Sequence, residues 1–412
     1  MPNRLSLTRR GLLAAGGAAL IGAASGCTAA GSVTESTATP APPSSSGPTP
    51  AAATTGASAV TYPFYGQHQS GVETLPALLQ TFIGLDLVDP TASNADAILR
   101  LVSDDAARLM AGEPALGDTE AELAEHPAGL TISVGLGRPL FTRTGRADAI
   151  PAQLTEIPAF STDKLEDAWS QTDLLLQVGS DDAMTLAHTI RMLTKDLSTL
   201  ARVRWMQPGF RSSAPAVEGG TTTRNLMGQV DGTINPVPGS DGFAEVVWID
   251  DDPAWLRGGT VLVLRRIRMH LDTWEILDRP VQESVIGRVI STGAPLGGTS
   301  ESDPVPFDAV DANGLPVIPQ DAHVRVAHAA TTAEMVLRRP YSYDSGMHDG
   351  TNDVGLLFAA YMRDPAVSFV PMQQRIAESD AFNAWNTTIG SAAYLFPAGA
   401  AEGGYLAEGL FT

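Results

Sequence analysis

The chain has 412 residues, 43% of them hydrophobic and 17% charged, which is enough for two sizeable cores. Lys and Arg number 26 against 46 Asp and Glu, and the net charge of -20 repels phosphate backbones and anionic surfaces, so nucleic-acid binding is excluded as a main function. The single cysteine, Cys27, lies in the N-terminal segment, which leaves the folded part without a disulfide, a cysteine nucleophile, an iron-sulfur cluster or an all-cysteine zinc site.

Residues 1–27 read as an export signal. Arg4, Arg9 and Arg10 precede a Gly/Ala-rich apolar run from Leu12 to Ala24, too short to span a membrane. "LTRRGLL" places a twin arginine before that run and resembles the signal that exports folded proteins, so an extracytoplasmic protein is expected: secreted, periplasmic or anchored at the cell surface. "AASGC" at 23–27 looks like a lipoprotein processing box with Cys27 as the lipidated residue. Residues 28–60 are almost all Ala, Ser, Thr, Pro and Gly, a composition that buries no core and serves as a tether for either lipid anchoring or simple secretion.

The folded region divides into two halves, 61–215 and 216–412. In the first, "QTFIGLDLVD" (80–89) reads as a strand, "ASNADAILRLVSDDAARLM" (92–110) as a helix, "GLTISVGLG" (129–137) and "TDLLLQVGS" (172–180) as strands, 181–200 as a helix opened by Asp181 and Asp182, and "ARVRWMQ" (201–207) as a strand. This is the β-α-β-β-α-β order of the ferredoxin-like pattern. A weaker copy follows: strand 258–269, helical material from Leu271 to about Ile290, strands 334–339 and 353–362, helix 371–379 and strand 391–396. The expected fold class is α+β, two ferredoxin-like domains in tandem with antiparallel sheets and peripheral helices.

Between the halves lies "GQVDGTINP" (228–236). Asp-Gly and Asn-Pro are turn dipeptides, so a chemical role for Asp231 needs partners. "IPQDAHVRVAHA" supplies one, with His323 alternating among apolar residues as on a strand. "VLRRPYSYD" supplies Arg338 and Arg339. Together these make a haem peroxidase set: His323 to hold iron, a carboxylate to move the peroxide proton, and a guanidinium to stabilise charge as the O–O bond breaks. His68, His126, His188 and His270 have no metal-ligand spacing. "STDK" (161–164) reads as a helix start, "GLG" (135–137) falls short of a dinucleotide loop, and "DDD" (250–252) reads as a solvated turn.

"GQVDGTINP", "DAHVRVA" and "VLRRPYSY", with "FYGQHQSGV", "LRGGTVLVLRRIRM", "GRVISTGAPLG", "GLLFAAYMRDP" and "AEGGYLAEGLF" in the same order, resemble the segments of dye-decolourising peroxidases. The likeness covers nearly all of 62–412 and is nearest the exported deferrochelatase/peroxidase branch of bacterial iron uptake. It implies one haem b per chain, held mainly by the C-terminal half, with His323 as proximal iron ligand, Asp231 as distal acid-base residue and Arg338 as distal arginine. Gly232, Thr233 and Ile234 match the segment along the haem, and Leu356 and Phe358 match residues lining the distal pocket and peroxide channel. Pro340 departs from the glycine usual after the arginine pair, and the stretch from His323 to Arg338 is shorter than in the iron-uptake relatives. In the strand that this segment resembles the first arginine points inward, which implies that Arg338 faces the iron, and period two then sends Arg339 outward.

The function expected is reduction of hydrogen peroxide with one-electron oxidation of bulky aromatic or phenolic donors. An ordinary aspartate titrates near ~4, so activity should extend into acid pH. Donors too large for the pocket would pass electrons through surface residues, for which Trp274, Tyr361 and Trp385 are candidates. The competing reading is a haem- or iron-handling protein that releases iron from haem or delivers haem, working with partners of iron uptake.

Overall fold

The computed structural model describes residues 60–216, 222–348 and 350–411. The twin-arginine segment, Cys27 and all but the last residue of the 28–60 tether lie outside the described residues.

The first half runs β1 (Leu79–Leu87), α1 (Ala92–Met110), β2 (Thr131–Gly137), α2 (Arg138–Arg143), β3 (Leu174–Ser180), α3 (Ala183–Asp196) and β4 (Ala201–Phe210). A short hairpin, β5 (Thr223–Arg224) and β6 (Val230–Asp231), and α4 (Asp241–Val247) lead into the second half. That half comprises β7 (Thr260–Met269), α5 (Leu271–Trp274), α6 (Arg279–Ile286), α7 (His323–Val326), β8 (Leu337–Arg338), β9 (Tyr341–His348), β10 (Thr351–Met362), α8 (Phe369–Ser379) and β11 (Asn386–Phe396). Strand order is β2-β3-β1-β4 in the first half and β9-β10-β7-β11 in the second. Each is the ferredoxin-like order, since β8 and β9 together occupy the second-strand position.

Local chemistry explains where the elements begin. Thr91 caps α1 by accepting the Asn94 N–H at 3.2 Å, and Asp182 caps α3 by accepting the Thr185 N–H at 2.8 Å, which satisfies donors the helix itself cannot. Strands β1, β2 and β3 carry near-continuous apolar runs because both faces are buried, whereas β4 alternates buried and exposed residues along much of its length. On β1, Ile83, Leu85 and Leu87 pack into the core with residues of α1 and α3, whereas Phe82 points the other way, into a core shared with Tyr341, Tyr361, Tyr394 and Phe396 of the second half. The two sheets are joined along their edges: Tyr394 and Leu395 of β11 pair with Gly137 and Leu136 of β2, and Phe210 of β4 pairs with Ser342 of β9. With β7 also paired to β10, the sheet closes on itself, leaving little open edge.

Two expectations are corrected. The strand expected over 334–339 is only Leu337–Arg338; it breaks at Arg339-Pro340, where proline offers no N–H to a ladder, and resumes as β9. The segment 161–164 is a turn followed by extended chain and starts no helix.

The halves differ on their outer faces, and that difference makes the site. In the first half, α1 and α3 seal the sheet with packed side chains. In the second, Arg265, Ile267 and Met269 of β7 and Leu356 and Phe358 of β10 border a cavity. The register places Leu356 opposite Ile267 and Phe358 opposite Arg265, so these side chains share one face. Arg265 is held by Asp163, both side chains being almost wholly buried, and its guanidinium lies 5.2 Å from the Phe160 ring centroid. Asp163→Ala would leave that cation buried and unpaired. The expected cost is about 3–5 kcal/mol, read by denaturant unfolding, and a loss below about 1 kcal/mol would contradict this account of the cavity wall.

Candidate active site

Asp231 ends the short strand β6, pairing with Thr223 as Val230 pairs with Arg224. The turn lies upstream of it. Asn225 accepts the N–H groups of Met227 and Gln229 through Oδ1 at 3.0 and 3.3 Å, and Gly228 takes the left-handed conformation at φ 77°, as side-chain-closed turns require. Gly232, at φ 98°, then redirects the chain along the cavity. A Cβ there would meet only Asn235 Nδ2 at 3.9 Å, so the glycine leaves open space on that side. Thr233 donates its hydroxyl to Glu301 Oε1 at 2.9 Å, which ties the loop to the segment after α6.

Arg338, on β8, donates from Nη1 to Asp231 Oδ1 at 3.5 Å and from Nη2 to the Ile234 carbonyl at 3.2 Å. Arg339 points elsewhere: it is buried and donates to the Thr74 carbonyl. Of the two arginines, Arg338 is the one that borders the cavity, as strand alternation from the broken ladder dictates.

His323 was expected on a strand and is found at the first position of the four-residue helix α7. The alternation of polar and apolar residues in this stretch is too short to tell strand from helical turn. Nδ1 of His323 lies 2.6 Å from Asp380 Oδ2; a carboxylate in that position accepts the Nδ1 proton and fixes the tautomer, which leaves Nε2 with its lone pair exposed. Asp380 is itself held by the Phe382 N–H at 2.8 Å, and its side chain is 1% exposed, against 36% for His323. Burial works against a charged imidazole, but the Asp380 carboxylate outweighs it and holds the His323 pKa above its usual value, while Arg338 pulls it down and Asp231 pushes it up.

The cavity has a volume of about 580 Å³, within the range of small-molecule and cofactor sites. All eight residues singled out in the sequence border it: Asp231, Gly232, Thr233, Ile234, His323, Arg338, Leu356 and Phe358. Sequence reasoning missed Asp380, Arg265 and Arg288, which border it too. Arg288 is buried and donates to the carbonyls of Gly293 and Glu301 at 2.6 and 3.1 Å. Burial lowers its pKa while the Glu301 carboxylate nearby opposes that, so it is a cation in the cavity wall.

The other sequence candidates have ordinary structural partners. His68 stacks on Trp248 at 3.7 Å between ring centroids, His188 pairs with Asp118 at 2.8 Å, and His270 contacts Thr387 at 2.9 Å. Asp252 meets Arg257 in an exposed pair. Tyr361 is fully buried and bonds to Gln177 inside the closed sheet. Trp274 and Trp385 lie in edge contact at 5.5 Å, Trp274 reaches Phe382 at 5.7 Å, and Phe382 lies 5.3 Å from His323.

The donor set fits haem: apolar walls for a flat macrocycle, one braced imidazole for iron, and a guanidinium for a carboxylate substituent. That points to a class, proteins whose cavity could hold a flat metal-centred cofactor through a braced histidine, with an acid and an arginine bordering the same space. Residues 69–211 match the family model "Dyp-type peroxidase, N-terminal", and residues 222–401 match "Dyp-type peroxidase, C-terminal". The chain belongs to the Dyp-type, or dye-decolourising, peroxidase family, and is a haem-dependent peroxidase. A dye-decolorizing peroxidase of Thermobifida fusca is 41% identical over 344 residues, covering 80% of each chain. A deferrochelatase of Yersinia pestis is 33% identical over 369 residues, 84% of each. The crystal structure of a DyP-type peroxidase from Cellulomonas bogoriensis superposes with a TM-score of 0.83 at 43% identity, covering 86% of this chain and 99% of that one.

Two substitutions probe the imidazole. His323→Ala should leave the far-ultraviolet circular dichroism unchanged while abolishing retention of haem on a desalting column. Asp380→Asn should keep haem but raise the reduction potential of its iron, because a less basic imidazole favours the ferric state less; an unchanged potential would remove Asp380 from that role.

Proposed function

We propose that this chain reduces hydrogen peroxide and oxidises bulky aromatic or phenolic donors one electron at a time, with Asp231 and Arg338 as the catalytic pair. The observation that carries this reading is the contact between Asp231 and Arg338 at 3.5 Å in the cavity that His323 also enters. Haem b bound through His323 supplies the iron at which peroxide is reduced. Gly232, Thr233, Ile234 and the apolar Leu356 and Phe358 would line the space that holds it, and Arg288 would be placed to pair with a carboxylate substituent. Asp231 takes the proton from the inner peroxide oxygen and returns it to the outer one, which then leaves as water. Arg338 stabilises the negative charge that grows on the leaving oxygen. Large donors meet the protein at its surface, and the ring contacts from Trp385 through Trp274 and Phe382 supply a short route toward His323. Tyr361, deep inside the closed sheet, offers no such entry.

The twin-arginine segment supports export in the folded, haem-loaded state, with the tether placing the catalytic unit outside the cytoplasm. A second reading, release of iron from haem, is favoured by the likeness to proteins named deferrochelatase. It predicts free protoporphyrin, detected by its fluorescence, when the protein is incubated with haem in the absence of an oxidisable donor.

For the first reading, Arg338→Ala should lower kcat/KM for hydrogen peroxide by about a hundredfold or more, the scale of a lost charge-stabilising donor. Asp231→Asn should slow the same step by about a hundredfold, read by stopped-flow absorbance at equal haem content. If Asp231→Asn reacts at the parent rate, Asp231 is not the base and Arg338 alone carries peroxide cleavage.

A further inference from the structure

β8 is two residues long and lies at the edge of the ladder. The Arg339 N–H donates to the Ala359 carbonyl of β10 at 2.8 Å, so by strand alternation the N–H and C=O of Arg338 point away from β10. No strand covers that side among the described residues. Both groups are instead taken by one side chain: Asn235 Oδ1 accepts the Arg338 N–H at 3.0 Å, and Asn235 Nδ2 donates to the Arg338 carbonyl at 2.9 Å. The carboxamide, with one acceptor and one donor side by side, stands in for the missing strand.

The position matters because the ladder breaks immediately afterwards at Pro340. A one-residue slip of a strand exchanges its two faces. Here a slip would withdraw Arg338 from the cavity and bring Arg339 toward it. The loop that carries Asp231 also carries Asn235, and its Ile234 carbonyl receives Arg338 Nη2 at 3.2 Å. Acid and arginine are therefore referenced to each other by a backbone clamp as well as by their own 3.5 Å contact.

We propose that Asn235 is a positioning residue that sets the register of Arg338 and so fixes the spacing of the Asp231–Arg338 pair. The inference rests on the reading of Arg338 as the residue that stabilises peroxide cleavage. Asn235 touches neither substrate nor cofactor in this role; it acts through the Arg338 backbone.

The test uses haem-loaded protein in four forms: parent, Asn235→Ala, Arg338→Ala and the double variant. In Asn235→Ala, amide hydrogen exchange in the peptide containing Leu337 to Arg339 should speed up by about tenfold. Its kcat/KM for peroxide should fall by about tenfold, with haem content unchanged. In the Arg338→Ala background the same substitution should cost less than about twofold, because residues that act through one another are not additive. An equal loss in both backgrounds, or parent exchange rates in Asn235→Ala, would overturn the proposal. If Arg338→Ala alone reacts at the parent rate, the catalytic reading of Arg338 fails instead, and the exchange rates still decide whether Asn235 holds the strand. Should Asn235→Ala not fold, Asn235→Asp keeps the acceptor, loses the donor and sets a carboxylate against the Arg338 carbonyl; the same loss of kcat/KM and faster exchange are expected, and parent values in both would overturn the proposal.

Discussion

The hydrogen bond between His323 and Asp380 is the constraint from which the rest of the site follows. An imidazole in a cavity wall has two nitrogens, and it can offer a metal a defined lone pair only when the other nitrogen is committed. The buried Asp380 carboxylate supplies that commitment at 2.6 Å. It is in turn locked by the backbone N–H of Phe382, so the imidazole is aimed by an element of the fold. The same cavity is bordered by the Asp231–Arg338 pair, which under the proposed function would act on peroxide.

The cavity exists because the two halves solve the same packing problem differently. Both present a four-stranded sheet in ferredoxin-like order, and both must cover an outer face. Long capped helices cover the first and leave no space. The second is faced by the short α6 and α7 and by α8, and apolar side chains of β7 and β10 line a cavity there. A repeated fold thus yields one half with a sealed outer face and one half with a cavity. Edge pairings between them close the sheet.

Much of this was legible in the sequence, for reasons that differ by element. Strands β1, β2 and β3 were readable because burial on both faces forces continuous apolar runs, and α1 because a periodic stripe begins just after a capping threonine. The break between β8 and β9 was harder: proline marks an interruption, and the resumption at Tyr341 depends on pairing with β10, a tertiary fact. His323 borders the cavity, but its segment forms a helical turn where the alternation suggests a strand, since a few alternating positions serve a strand and a single helical turn equally well. Asp380 left no signal, because its partner is 57 positions away and its own neighbours show only a helix cap. The clamp of Asn235 on Arg338 was likewise hidden, because Asn-Pro reads locally as a turn and nothing more.

The measurement that tests the central claim most directly is one absorbance experiment on the purified, haem-loaded protein. The account predicts a Soret band that shifts on addition of one equivalent of hydrogen peroxide and returns to its starting position when a phenolic donor is supplied. Absence of a Soret band after loading with haem, or irreversible bleaching with release of iron and no oxidation of the donor, would contradict it.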